Sequence, residues 1–384
     1  MATAIVNARV LIDEGFVQGR AVLVESGRVV AVTDAADPRI ASARRHDLDG
    51  ATLVPGFFDV QVNGGGGVLF NDAPTVEGID AIGKAHRRFG TTAFLPTLIS
   101  DEPETIRRGI EAVREAIAAP IPGVVGIHIE GPHINAQRRG THDAARIRPL
   151  DQAAIELLTS PGMGKTLVTL APEYTTVEDI RRLTQAGVVV SAGHTNATYD
   201  QMRAALDAGV RGVTHLFNAM SPLATREPGV VGAALSDNRC WCGIIVDGRH
   251  VHPAVLRLAL RTKPRERFLL VTDAMPCVGT AQTEFEMQGK RVHVRDGVCV
   301  DAAGVLSGSA LDMGNAVRNA VELLGLRLEE AVGMASSNPA RFMGLEAERG
   351  RIAPGQRADF VVLDDRMNVR DTWMGGEPQA AALR

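Results

Sequence analysis

Between residues 54 and 346, short apolar runs of strand length alternate with stretches of helical periodicity, and this limits the fold more than any other feature. TTAFLPTLI is followed by PETIRRGIEAVREAIAA, and VVGIHIEG comes next. TLVTLAPE then precedes VEDIRRLTQAG, and VVVSAGHT precedes YDQMRAALDAG. GVTHLFNAM follows, WCGIIVDG precedes PAVLRLALRTK, and RFLLVTDAM closes the series. Such alternation demands parallel βαβ units wound right-handed. About seven or eight units fit, which is the content of a (β/α)8 barrel of about 250 residues. The expected fold is therefore an α/β TIM-type barrel over 54–346. EFEMQGKRVHVRDGVCVDAAGVLSG breaks the rhythm, reads as hairpins, and is expected to protrude from the barrel.

Both ends of the chain differ from the middle. AIVNARVLI, GRAVLVESGRVVAV and DLDGATLVPG lack helical periodicity, as does GRIAPGQRADFVVLDDRMNVRDTWMGG near the other terminus. Residues 1–53 and 347–384 are expected to close into one small β-sandwich domain, since chain termini often lie near each other. The net charge of −4 argues against nucleic acid or an anionic membrane as partner. No apolar run approaches the roughly 20 residues that span a bilayer. The N-terminus lacks the basic-then-apolar layout of an export signal, so the expected location is the cytoplasm. Cys240, Cys242, Cys277 and Cys299 do not form a zinc-ribbon spacing and are expected to be reduced and buried. Cys277 follows Asp273 closely, and packing is favoured over catalysis for it.

GIHIEGPHIN, residues 126–135, poses a problem of burial. Alternate strand residues share a face, so Ile127 and Ile129 lie on one side and His128 and Glu130 on the other. A buried parallel strand should be apolar on both. Polar groups recur at the ends of other expected strands: His194 after VVVSAG, His215 after RGVT, Asp273 after FLLVT, and His250 after GIIVDGR. Barrel chemistry sits at the C-terminal strand ends. Singly, each such residue reads as a hydrogen-bonded structural group or a helix cap. Together they are costly to bury unless paired or bound to a cation. Glu130, His194 and His215 match the carboxylate-plus-two-imidazole set of a catalytic zinc with one position open. Asp273 beside them can take a proton from an attacking water and return it to a leaving group. His128, one layer deeper, supports that set or is merely structural.

PGFFDVQVNGGGG, residues 55–67, has neither the G-x-G-x-x-G nor the P-loop pattern, and its glycines suit a tight strand exit. PGF-x-D-x-Q-x-N-G nevertheless resembles the first-strand motif of the amidohydrolase superfamily. With GIHIEGPH, SAGHTNA, THLFNAM, REPG and VTDA, the chain resembles the N-acetylglucosamine-6-phosphate deacetylase family within it. That resemblance implies release of acetate from an N-acetylated amino-sugar phosphate, in amino-sugar catabolism and cell-wall recycling. It implies Glu130, His194 and His215 as metal ligands, Asp273 as base and then acid, and His142 as the group that polarises the substrate carbonyl. It further implies that His250 and Arg226 hold the phosphate, helped by the backbone at Asn218 and Ala219. The arginine would be lent by a neighbouring subunit of a homodimer. Where many superfamily members carry His-x-His, this chain has Gln61 and Asn63, and amides are poor ligands for a transition metal. One divalent ion per subunit is expected, zinc first, with Fe2+, Co2+ or Mn2+ as substitutes, and Gln61 and Asn63 marking a vestigial second position. Other amidohydrolase chemistry, such as cyclic amide hydrolysis or base deamination, is the nearest alternative. A non-catalytic barrel is the more distant one.

Overall fold

The computed structural model describes residues 2–160 and 162–379. The expected apolar runs form eight strands: β1 (Phe57–Val62), β2 (Thr91–Ile99), β3 (Gly126–Glu130), β4 (Lys165–Leu170), β5 (Val189–Ala192), β6 (Gly212–Val213), β7 (Trp241–Ile244) and β8 (Phe268–Leu270). Each pairs in parallel with its neighbours in sequence, so the ladder runs from β1 to β8 without a crossover in order. All nine residues of β2 are buried, which explains the absence of polar alternation in TTAFLPTLI. Helices follow the strands in turn. In Pro103–Ala118 the residues Ile106, Gly109, Ala112, Val113 and Ala116 are buried at helical spacing, and Pro103 opens the first turn, where its missing N–H costs nothing.

The barrel closes at one end of the β1–β8 seam. No continuous ladder joins these strands. The Asp273 N–H donates to Gln61 C=O at 3.0 Å, and the Asn63 N–H donates to Ala274 C=O at 3.0 Å. Deeper in the seam the buried Asp59 carboxylate accepts the Thr272 hydroxyl and the Gln61 N–H. The backbone is thus stitched at the C-terminal rim, where the polar strand ends lie.

The insertion after β8 forms a four-stranded antiparallel sheet, Glu284–Met287, Lys290–Arg295, Val298–Asp301 and Leu306–Ser309. It does not simply protrude. Met287, Val292 and Cys299 need cover, and they pack with Leu69, Ile99, Met275 and Cys277 above the barrel. The two ends of the chain meet in one eight-stranded sheet, in which Thr52–Pro55 pairs with both Thr3–Ile12 and Phe360–Leu363. The sheet bends over itself. Trp373 near one edge shares a core with Ile5, Val22 and Val24, and its ring stands 4.9 Å from that of His46. A sandwich-like core therefore arises within a single ladder. The expected terminal segments also include Met1 and residues 380–384, which lie outside the described residues. Among the described residues no helix is long and apolar enough to cross a membrane.

Gly126 starts the strand that delivers Glu130. A Cβ there would stand 1.9 Å from the Lys165 carbonyl oxygen of β4, which the ladder cannot move. Gly126→Ala should cost about 3 kcal/mol or more of stability, the upper range for overpacking. Chemical denaturation checks this, and a variant as stable as the parent would contradict it.

Candidate active site

Three strand ends place their side chains at one point. Glu130 is the last residue of β3; His194 and His215 follow β5 and β6 by two residues. All three are buried. His194 and His215 adopt positive φ, +48° and +35°, as does Asp273 after β8 at +53°. Non-glycine residues held there cost on the order of 1–3 kcal/mol each and mark sites where the surroundings impose the geometry. Here the left-handed turn swings each side chain from the strand end toward the barrel axis.

The resulting contacts are close. Glu130 Oε1 lies 2.9 Å from His215 Nε2 and 3.3 Å from His194 Nε2, and the two Nε2 atoms are 3.1 Å apart. These atoms form a group that could hold a metal ion. His194 Nδ1 donates to Arg138 C=O at 2.8 Å, which leaves its Nε2 as the lone-pair atom. Burial works to raise Glu130, but its contacts with the His194 and His215 imidazoles prevail and hold it well below its ordinary value. Burial works to lower His215, yet Glu130 raises it overall. Two imidazole nitrogens facing each other beside a carboxylate, with the tautomer of one ring fixed by a carbonyl, match the donor set of a divalent cation.

Gln61 and Asn63 sit beside this group. Gln61 Nε2 donates to Glu130 Oε1 at 3.2 Å and to Asp273 Oδ1 at 3.1 Å, and Asn63 Nδ2 donates to Asp273 Oδ1 at 2.6 Å. Their amide N–H groups therefore face the Glu130 and Asp273 carboxylates. Burial, reinforced by the charge of Glu130, pushes Asp273 up to about 6.

His142 is brought to the same rim. Its ring centroid lies 4.4 Å from that of His194. The Ser100 N–H donates to His142 Nδ1 at 3.2 Å, with Ser100 Oγ 2.7 Å from the same nitrogen. Burial, then the charge of His194, pushes His142 down to about 3. The neutral ring therefore carries its proton on Nε2, the atom free to donate. His250 Nδ1 lies 2.6 Å from Asp247 Oδ2, and this hydrogen bond holds Asp247 below its ordinary value against the effect of burial. Asn218 spends its N–H on His215 C=O at 3.0 Å, whereas the Ala219 N–H has no acceptor among the described residues. Arg226 is exposed, with no hydrogen bond or ion pair among the described residues, and a single chain does not tie it to the cluster.

His128 is structural. Its Nδ1 lies 3.3 Å from Thr97 Oγ1 and its Nε2 2.8 Å from Thr169 Oγ1, which in turn contacts Thr214 Oγ1 at 2.6 Å. Both nitrogens are engaged, so neither can ligate. The four cysteines are free and buried, as expected, and the Sγ atoms of Cys277 and Cys299 are 3.7 Å apart beneath the hairpin sheet.

Three supporting residues, Glu173, Asp247 and Ser100, show their contacts only in the folded chain. Glu173, in the APE that follows β4, accepts from Asn135 Nδ2 at 2.8 Å, from the Asn196 N–H at 2.6 Å and from the Thr195 hydroxyl, tying the loops after β3 and β5 together. Asn196 also accepts from Arg138, whose carbonyl orients His194. The available signals were a carboxylate at a strand end for Glu173 and the DGRH spacing for Asp247. Ser100 carried no signal beyond its place at the end of β2.

A barrel whose C-terminal rim gathers a carboxylate, two imidazoles and a poised aspartate has the layout of metal-assisted hydrolases. The model described as "Amidohydrolase family" matches residues 52–379, and the chain belongs to that family. Within it, the chain is 44% identical over 373 residues to N-acetylgalactosamine-6-phosphate deacetylase of Shewanella sp. (strain ANA-3), covering 97% of this chain and 94% of that protein. It is 40% identical over 356 residues to human N-acetylglucosamine-6-phosphate deacetylase, covering 88% and 86%. A mutant N-acetyl-D-glucosamine-6-phosphate deacetylase from Mycobacterium smegmatis, solved in complex with N-acetyl-D-glucosamine-6-phosphate, superposes with a TM-score of 0.90 at 37% identity, covering 98% of each chain.

The buried imidazoles set an acid limit. His86 and His128 are pushed down to about 4 by burial. They stay neutral in the fold, while an unfolded chain protonates them below about 6.5. Between those values the unfolded state binds more protons, so stability falls as pH falls. Denaturant titrations stepped from neutrality toward pH 4.5 should show a declining unfolding free energy; a flat profile would contradict the assignment.

Proposed function

We propose that this chain hydrolyses the acetamide of N-acetylglucosamine 6-phosphate to glucosamine 6-phosphate and acetate, in the cytoplasm, as a step of amino-sugar catabolism and cell-wall recycling. The observation that carries the reading is the convergence of Glu130, His194 and His215, with Asp273 linked to Glu130 through Gln61. A divalent cation held by those three side chains, zinc first and Fe2+, Co2+ or Mn2+ as substitutes, would acidify a water and polarise the acyl oxygen. Asp273, with an ordinary value of 3.8 moved to about 6, then takes the proton of the attacking water and delivers it to the departing amine nitrogen. The His142 Nε2–H donates to the acyl oxygen as negative charge develops there. Ser100 keeps that proton on the correct nitrogen. Gln61 and Asn63, as hydrogen-bond donors, take the place of a second cation, so each subunit holds one tightly bound ion.

His250, oriented by Asp247, and the free N–H of Ala219 receive the phosphate, with Asn218 shaping their turn. The partner subunit's Arg226 completes the phosphate site, and its planar, permanently charged fork suits phosphate oxygens. Its exposure, with no hydrogen bond or ion pair among the described residues, supports that role. A second reading concerns the sugar. The Shewanella relative is named for the galactosamine epimer and the human one for glucosamine. The two substrates differ only in configuration at C4, which lies between the amide-bearing C2 and the phosphate-bearing C6.

Acetate release should be measured on both hexosamine phosphates and on plain N-acetylglucosamine, alongside elemental analysis of the purified protein. The better phosphorylated substrate should exceed the plain sugar in kcat/KM by several orders of magnitude, because remote phosphate binding is realised in the transition state. Equal turnover of the plain sugar would remove the phosphate assignment. Asp273→Asn should lower kcat by about 10²-fold or more while retaining about one equivalent of metal.

Subunit exchange tests the lent arginine. Neither Asp273→Asn nor Arg226→Ala should be active alone, but mixed dimers contain one site with both Asp273 and a partner's arginine, so the mixture should regain activity. No recovery on mixing would place Arg226 in its own subunit's site or outside any site.

A further inference from the structure

We propose that Gln288, at the tip of the hairpin inserted after β8, is a positioning residue that aims His142. This rests on the functional reading above, which sets His142 against the acyl oxygen. The hairpin joins Glu284–Met287 to Lys290–Arg295, with Met287 opposite Lys290, so its loop is the two residues Gln288 and Gly289. Both have positive φ, +49° and +75°. A two-residue turn of this hand favours asparagine, aspartate or glycine at its first position, where a short side chain tolerates the left-handed region. Glutamine there breaks the local rule. Such a departure points to a gain made elsewhere.

That gain is visible in the side chain. Gln288 Nε2 donates to Ser100 C=O at 2.7 Å, and Gln288 Oε1 accepts from the Asp143 N–H at 3.0 Å. A carbonyl only accepts and an amide N–H only donates, so the amide can sit one way round. Ser100 holds His142 Nδ1 through its own N–H and hydroxyl, and Asp143 is the next residue after His142. One amide thus grips both sides of the Ser100–His142 contact. The tip is also anchored from below, because Met287 packs in the same apolar cluster as Ile99, the residue before Ser100. The loop carrying His142 has no strand or helix of its own to fix it, and its only regular turns are short 3-10 segments at Ala136–Arg138 and Ala144–Arg146. The hairpin supplies the missing rigidity.

Gln288→Asn separates this role from a structural one. Asparagine suits the turn better but is one methylene too short to span Ser100 and Asp143. The variant should keep or raise its melting temperature and keep its metal content, while kcat falls roughly ten- to a hundred-fold, the scale of a misplacement of about 1 Å. KM should change little, because the contact that is loosened acts as charge develops. In a His142→Gln background the same substitution should cost nothing further. Wild-type kcat in Gln288→Asn, or a loss that adds in full to that of His142→Gln, would overturn the proposal. So would a loss that tracks falling stability or metal content. If the parent protein releases no acetate from either hexosamine phosphate, the functional reading fails first. The clamp is then read from the His142 imidazole 15N shifts, which Gln288→Asn should move and which would overturn it by staying fixed.

Discussion

Three buried side-chain atoms, Glu130 Oε1, His194 Nε2 and His215 Nε2, lie within 3.3 Å of one another. Such an arrangement is unfavourable unless a proton or a cation lies among them. The rest of the barrel rim is arranged around that requirement. Arg138 C=O fixes the tautomer of His194, Glu173 binds the loops on either side, and left-handed turns at His194 and His215 aim the rings. A cation held by the group would offset the cost of gathering these atoms, which would couple its binding to local order.

The barrel seam carries the second constraint. The backbones of β1 and β8 are joined at their C-terminal ends, through bonds between Gln61 and Asp273 and between Asn63 and Ala274. The side chains of the same residues bond to the Asp273 carboxylate. Closing the barrel and placing the Asp273 carboxylate are therefore one structural event. Asp59 reinforces it from beneath by holding Thr272, the residue before Asp273. Burial and the neighbouring Glu130 then keep the Asp273 pKa near neutrality, where a group can both accept and release a proton.

The hairpin sheet and the loop of His142 form a third layer. Its apolar underside, Met287, Val292 and Cys299, covers the barrel mouth between Leu69 and Ile99 and brings Gln288 to Ser100 and Asp143. An insertion that interrupts the strand–helix rhythm thereby becomes part of the site's wall. Its sequence showed hairpins but gave no sign of which residue faces inward, because that depends on how the sheet lies on the barrel.

Sequence alone determined the barrel, the β-rich termini and the identities of Glu130, His194, His215 and Asp273. Strand–helix alternation sets parallel pairing, and parallel pairing puts every strand end on one rim, so polar strand-end residues must converge. It could not decide between the two roles left open for His128, because two threonine hydroxyls, from β2 and β4, satisfy that ring only once the strands are assembled. Nor could it show Ser100, Asp247, Glu173 or Gln288 at work, or turn Gln61 and Asn63 into donors facing Asp273. Those contacts join residues far apart in the chain, and they depend on the relative height of neighbouring strands and the path of each loop. Periodicity specifies which face a side chain takes; only the assembled barrel specifies what stands opposite it.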